Sequence, residues 1–195
     1  DDYGAGKAMG QTVAGFSKKG IAYIGVTRDD KAAGAAREDG FIAGLKNTGI
    51  TLLEENKRTS AFTLESGYEA ALDLLESKCD IDVISCATDT IAAGAIEAIQ
   101  TYLKKQVPAN AADAGARMRY ILENTSIRVT GFGDNQMLKA VTGGIPTIHF
   151  GYKTSGIRGA ELLLDSIERG EQIPIEMKLG FHLVGTDLSD SENHT

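Results

Sequence analysis

Apolar β-branched runs alternate with amphipathic stretches along this chain, and the alternation predicts most of its elements. Tyr3 to Phe16 places Ala5, Ala8, Met9, Thr12, Val13 and Phe16 on one face, the spacing of a helix entered from Asp1 and Asp2. After a turn at Ser17 to Gly20, Ile21 to Val26 reads as a short buried strand. Arg28 to Ala36 is polar and small-residued, which predicts a flexible connection. A helical pattern follows from about Ala35 through Phe41, Ile42 and Leu45 to a stop near Asn47 to Gly49. Ile50 to Glu54 is expected to be a strand and Glu55 to Ser60 a charged connection. A helix then runs from Leu64 through Ala71, Leu74 and Leu75, with Phe62 just ahead of it.

Val83 to Ile99 carries the plainest unit: an apolar run, a polar tip at Thr88-Asp89-Thr90, and an Ala-rich amphipathic helix reaching about Lys105. Gln106 to Ser126 breaks the rhythm and reads as an insertion, longer than the usual helix-to-strand connection. The alternation resumes with a strand at Ile127 to Phe132 that ends in Gly133-Asp134-Asn135, a short helix at Met137 to Val141, and a strand at Thr147 to Phe150. Ser155 to Glu168 is a helix with Ile157, Ala160, Leu163, Leu164 and Ile167 on one face. Ile173 to Lys178 and Phe181 to Val184 read as two closing strands before a polar tail. Repeated strand-helix units predict an α/β fold, an open and mostly parallel sheet flanked by helices in a Rossmann-like three-layer sandwich. Ligands of such sheets bind at the carboxyl ends of the strands.

Composition narrows the picture. With 195 residues, 42% hydrophobic and 24% charged, the chain can bury a sizeable core. A formal net charge of -7 argues against a nucleic-acid or anionic-membrane surface on the chain itself, because phosphate binding relies on clustered Lys and Arg. Cys79 and Cys86 are too few for a disulfide framework, which fits a reducing cytoplasm, and no apolar run has the length to span a bilayer. The Asp-Asp start is neither a signal peptide nor an initiator, so the chain is expected to be a fragment.

Few catalytic patterns survive inspection. Gly131-Phe132-Gly133 lacks the third glycine of a dinucleotide fingerprint, and Gly151 to Ser155 lacks the upstream glycine of a phosphate loop. His149, His182 and His194 stand far apart with no companion at metal-ligand spacing, and no Gly-x-Ser-x-Gly elbow occurs. No catalytic residue, metal or cofactor is therefore expected. What remains suits a ligand with many hydroxyls: acceptors in Asp89, Asp134 and Asn135, an arginine fork in Arg37, and flat faces in Phe62 and Tyr152. Each has a plainer alternative. Asp89 is equally suited to capping the helix it opens, Arg37 to pairing with a carboxylate, and the aromatics to core or rim packing.

The chain resembles the lactose-repressor family of bacterial transcription regulators in DDYGAGKAMG, KKGIAYIGV, AREDGF, SGYEAA, CATDTIAAGAI, IRVTGFGDN and IPTIHFGYKTSGIRGAELLL. Within that family it looks most like sucrose- or trehalose-operon repressors. The resemblance implies a periplasmic-binding-protein-like effector domain of two subdomains. Residues 1–148 would form the C-terminal subdomain with an insertion at about 106–126. Residues 149–180 would supply a helix and strand of the N-terminal subdomain, 181–188 a return strand, and 189–195 a polar tail. By similarity, Arg37 and Phe62 match an effector-binding arginine and aromatic, Thr88 beside Asp89 a polar contact, and Tyr152 an aromatic just past a crossover. Asp1 falls at the upstream crossover, and Asp134, with Asn135 after it, stands one place from the acidic residue of the family's GYD or GFD. The implied protein is a cytoplasmic homodimer that binds a sugar or sugar phosphate and contacts operator DNA through a headpiece outside this chain, with no membrane partner. A transport-type sugar-binding protein of the same architecture and, from a different class, a carbohydrate-active enzyme are the alternatives.

Overall fold

The computed structural model describes residues 1–106, 126–170 and 174–185. The expected insertion falls mostly in 107–125, and the polar tail in 186–195, both outside the described residues.

A four-stranded parallel sheet forms the centre, in the order β2-β1-β3-β4, from β1 (Ile21–Val26), β2 (Lys57–Ser60), β3 (Val83–Cys86) and β4 (Arg128–Thr130). Every residue of β1 and β3 is buried, as the near-continuous apolar runs of strands covered on both faces require. Around them stand α1 (Asp2–Phe16), α2 (Arg37–Lys46), α3 (Leu64–Glu76) and α4 (Asp89–Gln106), with α1 packed on α2 and α3 on α4. The chain moves from β1 outward to β2 and then back past β1 to β3. Right-handed crossovers therefore put α2 and α3 on opposite faces. On the α2 face Tyr23 stacks on Phe41 with ring centroids 5.0 Å apart.

The α1–α2 contact is made almost backbone to backbone. Gly6 and Gly10 of α1 face Gly40 and Gly44 of α2, and a Cβ on Gly10 would fall on the Phe41 carbonyl oxygen. A Cβ on Gly44 would likewise strike the Lys7 carbonyl, while one on Gly6 would strike that of Arg37. The glycines let the two axes approach closely, and that approach fixes where Arg37 stands relative to the start of α1.

Beyond β4 the chain continues through α5 (Gln136–Thr142), β5 (Thr147–Phe150), α6 (Tyr152–Arg169) and β6 (Phe181–Val184). β5 and β6 form an antiparallel pair. β5 is also tied to the exit of β4, because the Gly131 and Gly133 amides donate to the carbonyls of Pro146 and Ile148, each at 2.9 Å. These two bonds set β5 alongside the segment that leaves β4, in the parallel sense, while β5 and β6 form a two-stranded sheet of their own. No residue of α6 is buried, and Leu163, Leu164 and Ile167 are each more than 60% exposed.

Three elements differ from the sequence reading. The strand expected at Ile50 to Glu54 lies at Lys57–Ser60, inside what read as a charged connection. β2 is an edge strand that needs ladder partners on one side only, and ion pairs absorb its charges. Lys57 Nζ reaches Glu38 at 2.9 Å and Glu54 at 3.0 Å, and Arg58 pairs with Asp73. Residues Lys31–Ala36, read as flexible, form a turn of π-helix because Asp30 accepts from the Ala32 and Ala33 amides at 3.0 and 2.7 Å and starts it. Residues 174–180 carry no regular structure where a strand was expected, although β6 forms as read.

Candidate functional site

Strand order reverses between β1 and β3, and in an open α/β sheet the crevice at such a reversal is where ligands enter. Arg37, the first residue of α2, occupies that crevice. Its Nε donates to Asp2 Oδ1 at 2.8 Å, and its Nη1 donates across the reversal to the Ala87 carbonyl oxygen at 2.6 Å, just past β3. The guanidinium carbon lies 5.0 Å from the Phe132 ring centroid and 5.4 Å from that of Phe150, cation–π contacts to two adjacent rings whose own centroids are 6.4 Å apart. One side chain thus touches the start of α1 and the exits of β3, β4 and β5. With 14% of its side chain exposed, it still meets an open cavity.

That cavity holds about 250 Å³ and is lined by Asp1, Asp2, Arg37, Phe150, Tyr152 and Ser155, with Met177 and Leu179 at its border. The chain passes it at the start of α1, at the β5–α6 junction and just before β6. Asp1 caps α1 by accepting from the Gly4 amide at 3.0 Å. Tyr152, 60% exposed, meets Phe150 edge to face at 6.0 Å and leaves a ring face open. Gly151 starts α6 without a side-chain cap.

A second hollow of about 290 Å³ gathers Asp89, Asp134, Asn135, Lys139, Thr147 and Gly185. Here the local alternative of Asp89 as a cap is corrected. Thr88 caps α4, its Oγ1 accepting from the Ile91 amide at 3.2 Å. The Asp89 carboxylate, 5% exposed, turns away from its own helix and accepts from the Asn135 amide at 2.6 Å and the Thr147 hydroxyl at 2.7 Å. Burial raises its pKa above the ordinary aspartate value and Asp134 adds to the rise, while the two hydrogen bonds and Arg37 oppose it. Asp134, in a left-handed conformation at φ 52°, meets His149 Nδ1 at 2.9 Å. Asn135 caps α5, its Oδ1 accepting from Met137 and Leu138 at 2.9 and 3.1 Å.

The residues read from the sequence therefore fall into three sets. Arg37, Asp1 and Tyr152 line the first cavity, and Asp89, Asp134 and Asn135 line the second. Phe62, 49% exposed on the β2–α3 connection, and Thr88 line neither. Asp2, Phe132 and Phe150 were missed. Asp2 is separated from its partner by the whole of β1, and no local pattern announces an ion pair at that distance. Phe132 and Phe150 read as ordinary strand aromatics. Among the described residues no group of His, Cys, Asp or Glu is placed to hold a metal ion, and no helix is long and apolar enough to cross a membrane.

Known proteins share this architecture. Residues 1–142 match the model of a periplasmic binding protein domain. The sucrose operon repressor of Staphylococcus xylosus is 28% identical over 156 residues, covering 80% of this chain and 42% of that protein. The HTH-type transcriptional regulator TreR of Salmonella typhimurium is 24% identical over 167 residues, covering 86% of this chain and 45% of that protein. The chain thus spans less than half the length of these two relatives. In structure, a transcriptional regulator CelR–cellobiose complex superposes with a TM-score of 0.76 over 94% of this chain and 50% of its own, at 22% identity. The likeness to lactose-repressor-type regulators read from the motifs is borne out, as is the periplasmic-binding-protein-like fold.

Proposed function

The chain belongs to the periplasmic binding protein domain family, and from that premise we propose that it is the effector-binding portion of a cytoplasmic repressor of a sucrose- or trehalose-type sugar-utilisation operon. The observation that carries this reading is Arg37, held in the strand-order crevice by Asp2 and the Ala87 carbonyl and opening on a cavity edged by Tyr152. A guanidinium, carboxylates, a serine hydroxyl and an open aromatic face are the groups that bind hydroxyls and cover sugar C–H surfaces. In this proposal residues 1–148 and 181–188 form one subdomain, and 149–180 belong to a second that closes the cavity from the other side. The exposed apolar side chains of α6 support that division, since a helix with so apolar a face needs a partner.

Sugar held between two subdomains favours one relative orientation, and the difference in affinity for the two orientations is the only work available to alter how a homodimer presents its headpieces to the operator. Calorimetry on the full-length protein with sucrose and trehalose tests the reading, together with an operator mobility-shift assay. Arg37→Ala is expected to weaken sugar binding by about 10- to 100-fold, the scale of lost charge-assisted hydrogen bonds, and to blunt the response of operator binding to sugar. Undiminished affinity in that variant would overturn the site assignment. Sugar binding with no effect on operator DNA would favour the transport-type reading, and turnover of the sugar would favour the enzyme.

A further inference from the structure

The two arginines on this edge of the sheet, Arg37 and Arg28, are already committed to carboxylates. Arg37 is paired with Asp2 at 2.8 Å, and the cavity lining carries Asp1 and Asp2 against Arg37, a net charge of -1 from two acids and one base. Arg28, on the connection from β1, is drawn to Glu38 at 3.3 Å and Asp39 at 2.9 Å. Lys31 is exposed on the π-helical turn and does not line the cavity. Two further acids, Asp89 and Asp134, stand on the same edge and share the second hollow with Lys139, and Asp134 meets the His149 imidazole. The uncapped first turn of α6 offers backbone amides at Gly151 and Tyr152, which suit an anion but serve a sugar hydroxyl or ring oxygen equally well.

Resting on the sugar-effector reading, we propose that this cleft selects an uncharged sugar over its phosphate ester, and that Asp2 is the residue that sets the preference. A phosphate dianion brought to Arg37 must compete with a carboxylate already bonded to Nε, and it meets Asp1 and Asp2 in a partly desolvated crevice where charge interactions are weakly screened. A hydroxyl meets no such repulsion. It accepts from the guanidinium edge that Asp2 and Ala87 leave open and donates to the second oxygen of Asp2, since the pairing to Arg37 uses only Oδ1.

The test is isothermal titration of the full-length protein, wild type and Asp2→Asn, with sucrose, trehalose, sucrose 6-phosphate and trehalose 6-phosphate. The wild type is expected to bind at least one uncharged sugar about tenfold or more tighter than its 6-phosphate, and Asp2→Asn to shrink that ratio by about tenfold through a gain for the ester. Asp2→Ala is expected to move the ratio the same way. A wild-type preference for an ester would overturn the proposal. So would an Asp2→Asn variant that loses affinity equally for both forms, because Asp2 would then only hold Arg37 in place. Binding of none of the four sugars would overturn the sugar-effector reading itself, a distinct outcome.

Discussion

Gly44→Ala and Gly15→Ala, two chemically identical changes in neighbouring helices, are expected to move stability in opposite directions. In an open helical position, replacing glycine by alanine gains up to about 1 kcal/mol, because glycine loses the most backbone freedom on folding. Gly15 is such a position, since a Cβ there meets nothing within 4 Å. At Gly44 the same methyl lands on the Lys7 carbonyl oxygen and lies 3.0 Å from the Gln11 nitrogen. Main-chain atoms cannot rotate aside as a flexible side chain can, so α1 must slide away from α2. Overpacking costs about 1–3 kcal/mol, and a rigid obstacle places this case toward the upper end. Set against the helical gain, a net loss of about 2 kcal/mol remains. In a chain of this length 1 kcal/mol moves the midpoint by about 2–4 °C, so Gly44→Ala should lower Tm by about 4–8 °C and Gly15→Ala raise it by up to about 4 °C. Circular dichroism melts of the three proteins, run together, give the comparison. If Gly44→Ala melts at or above the wild type, the glycines do not hold the helices at their observed separation.

Two further outcomes follow from the second hollow. Because the Asp89 pKa is raised in the folded state, the stability it contributes is fully present below the pKa of the unfolded chain and is lost as pH rises through the folded value. The stability of the wild type relative to Asp89→Asn should therefore fall as pH rises above the ordinary aspartate value of about 4 in urea titrations, and a rise with pH there would contradict the burial argument. Asn135→Ala removes the acceptor for the Met137 and Leu138 amides and should cost about 1 kcal/mol. Hydrogen exchange should place the loss first in α5, and unchanged protection there would show that the cap is dispensable.

The alternation of apolar runs announces α1, β1, α2, α3, β3, α4 and β5 because those elements bury continuous faces. It is silent about β2, whose four residues, Lys57, Arg58, Thr59 and Ser60, contain no apolar side chain. That strand exists through backbone pairing with β1, and ion pairs from α2, α3 and the turn ahead of it neutralise its charges. Lys31–Ala36 misleads for the opposite reason. Small residues without periodicity look loose, yet the Asp30 carboxylate is enough to wind them. In the site, Arg37 and Tyr152 are legible as side-chain types at strand tips, and Asp134 and Asn135 as a polar turn. The direction in which Asp89 turns was not legible, since it depends on Gly131 and Gly133 leaving room for its carboxylate. A Cβ at Gly131 would occupy the place of Asp89 Oδ1. Nor was the pairing of Arg37 with Asp2, which exists only once the glycines of α1 and α2 have met.

The setting of Arg37 bears on how specificity is inherited. Its four anchors come from four separate stretches of sequence: Asp2, Ala87, Phe132 and Phe150. A chimera that imports one of these stretches from a relative leaves the arginine tuned to the other three. New ligand preferences in such a chain are therefore acquired as a block, and recombination within the ligand edge is constrained in a way that recombination on the exposed face of α6 is not.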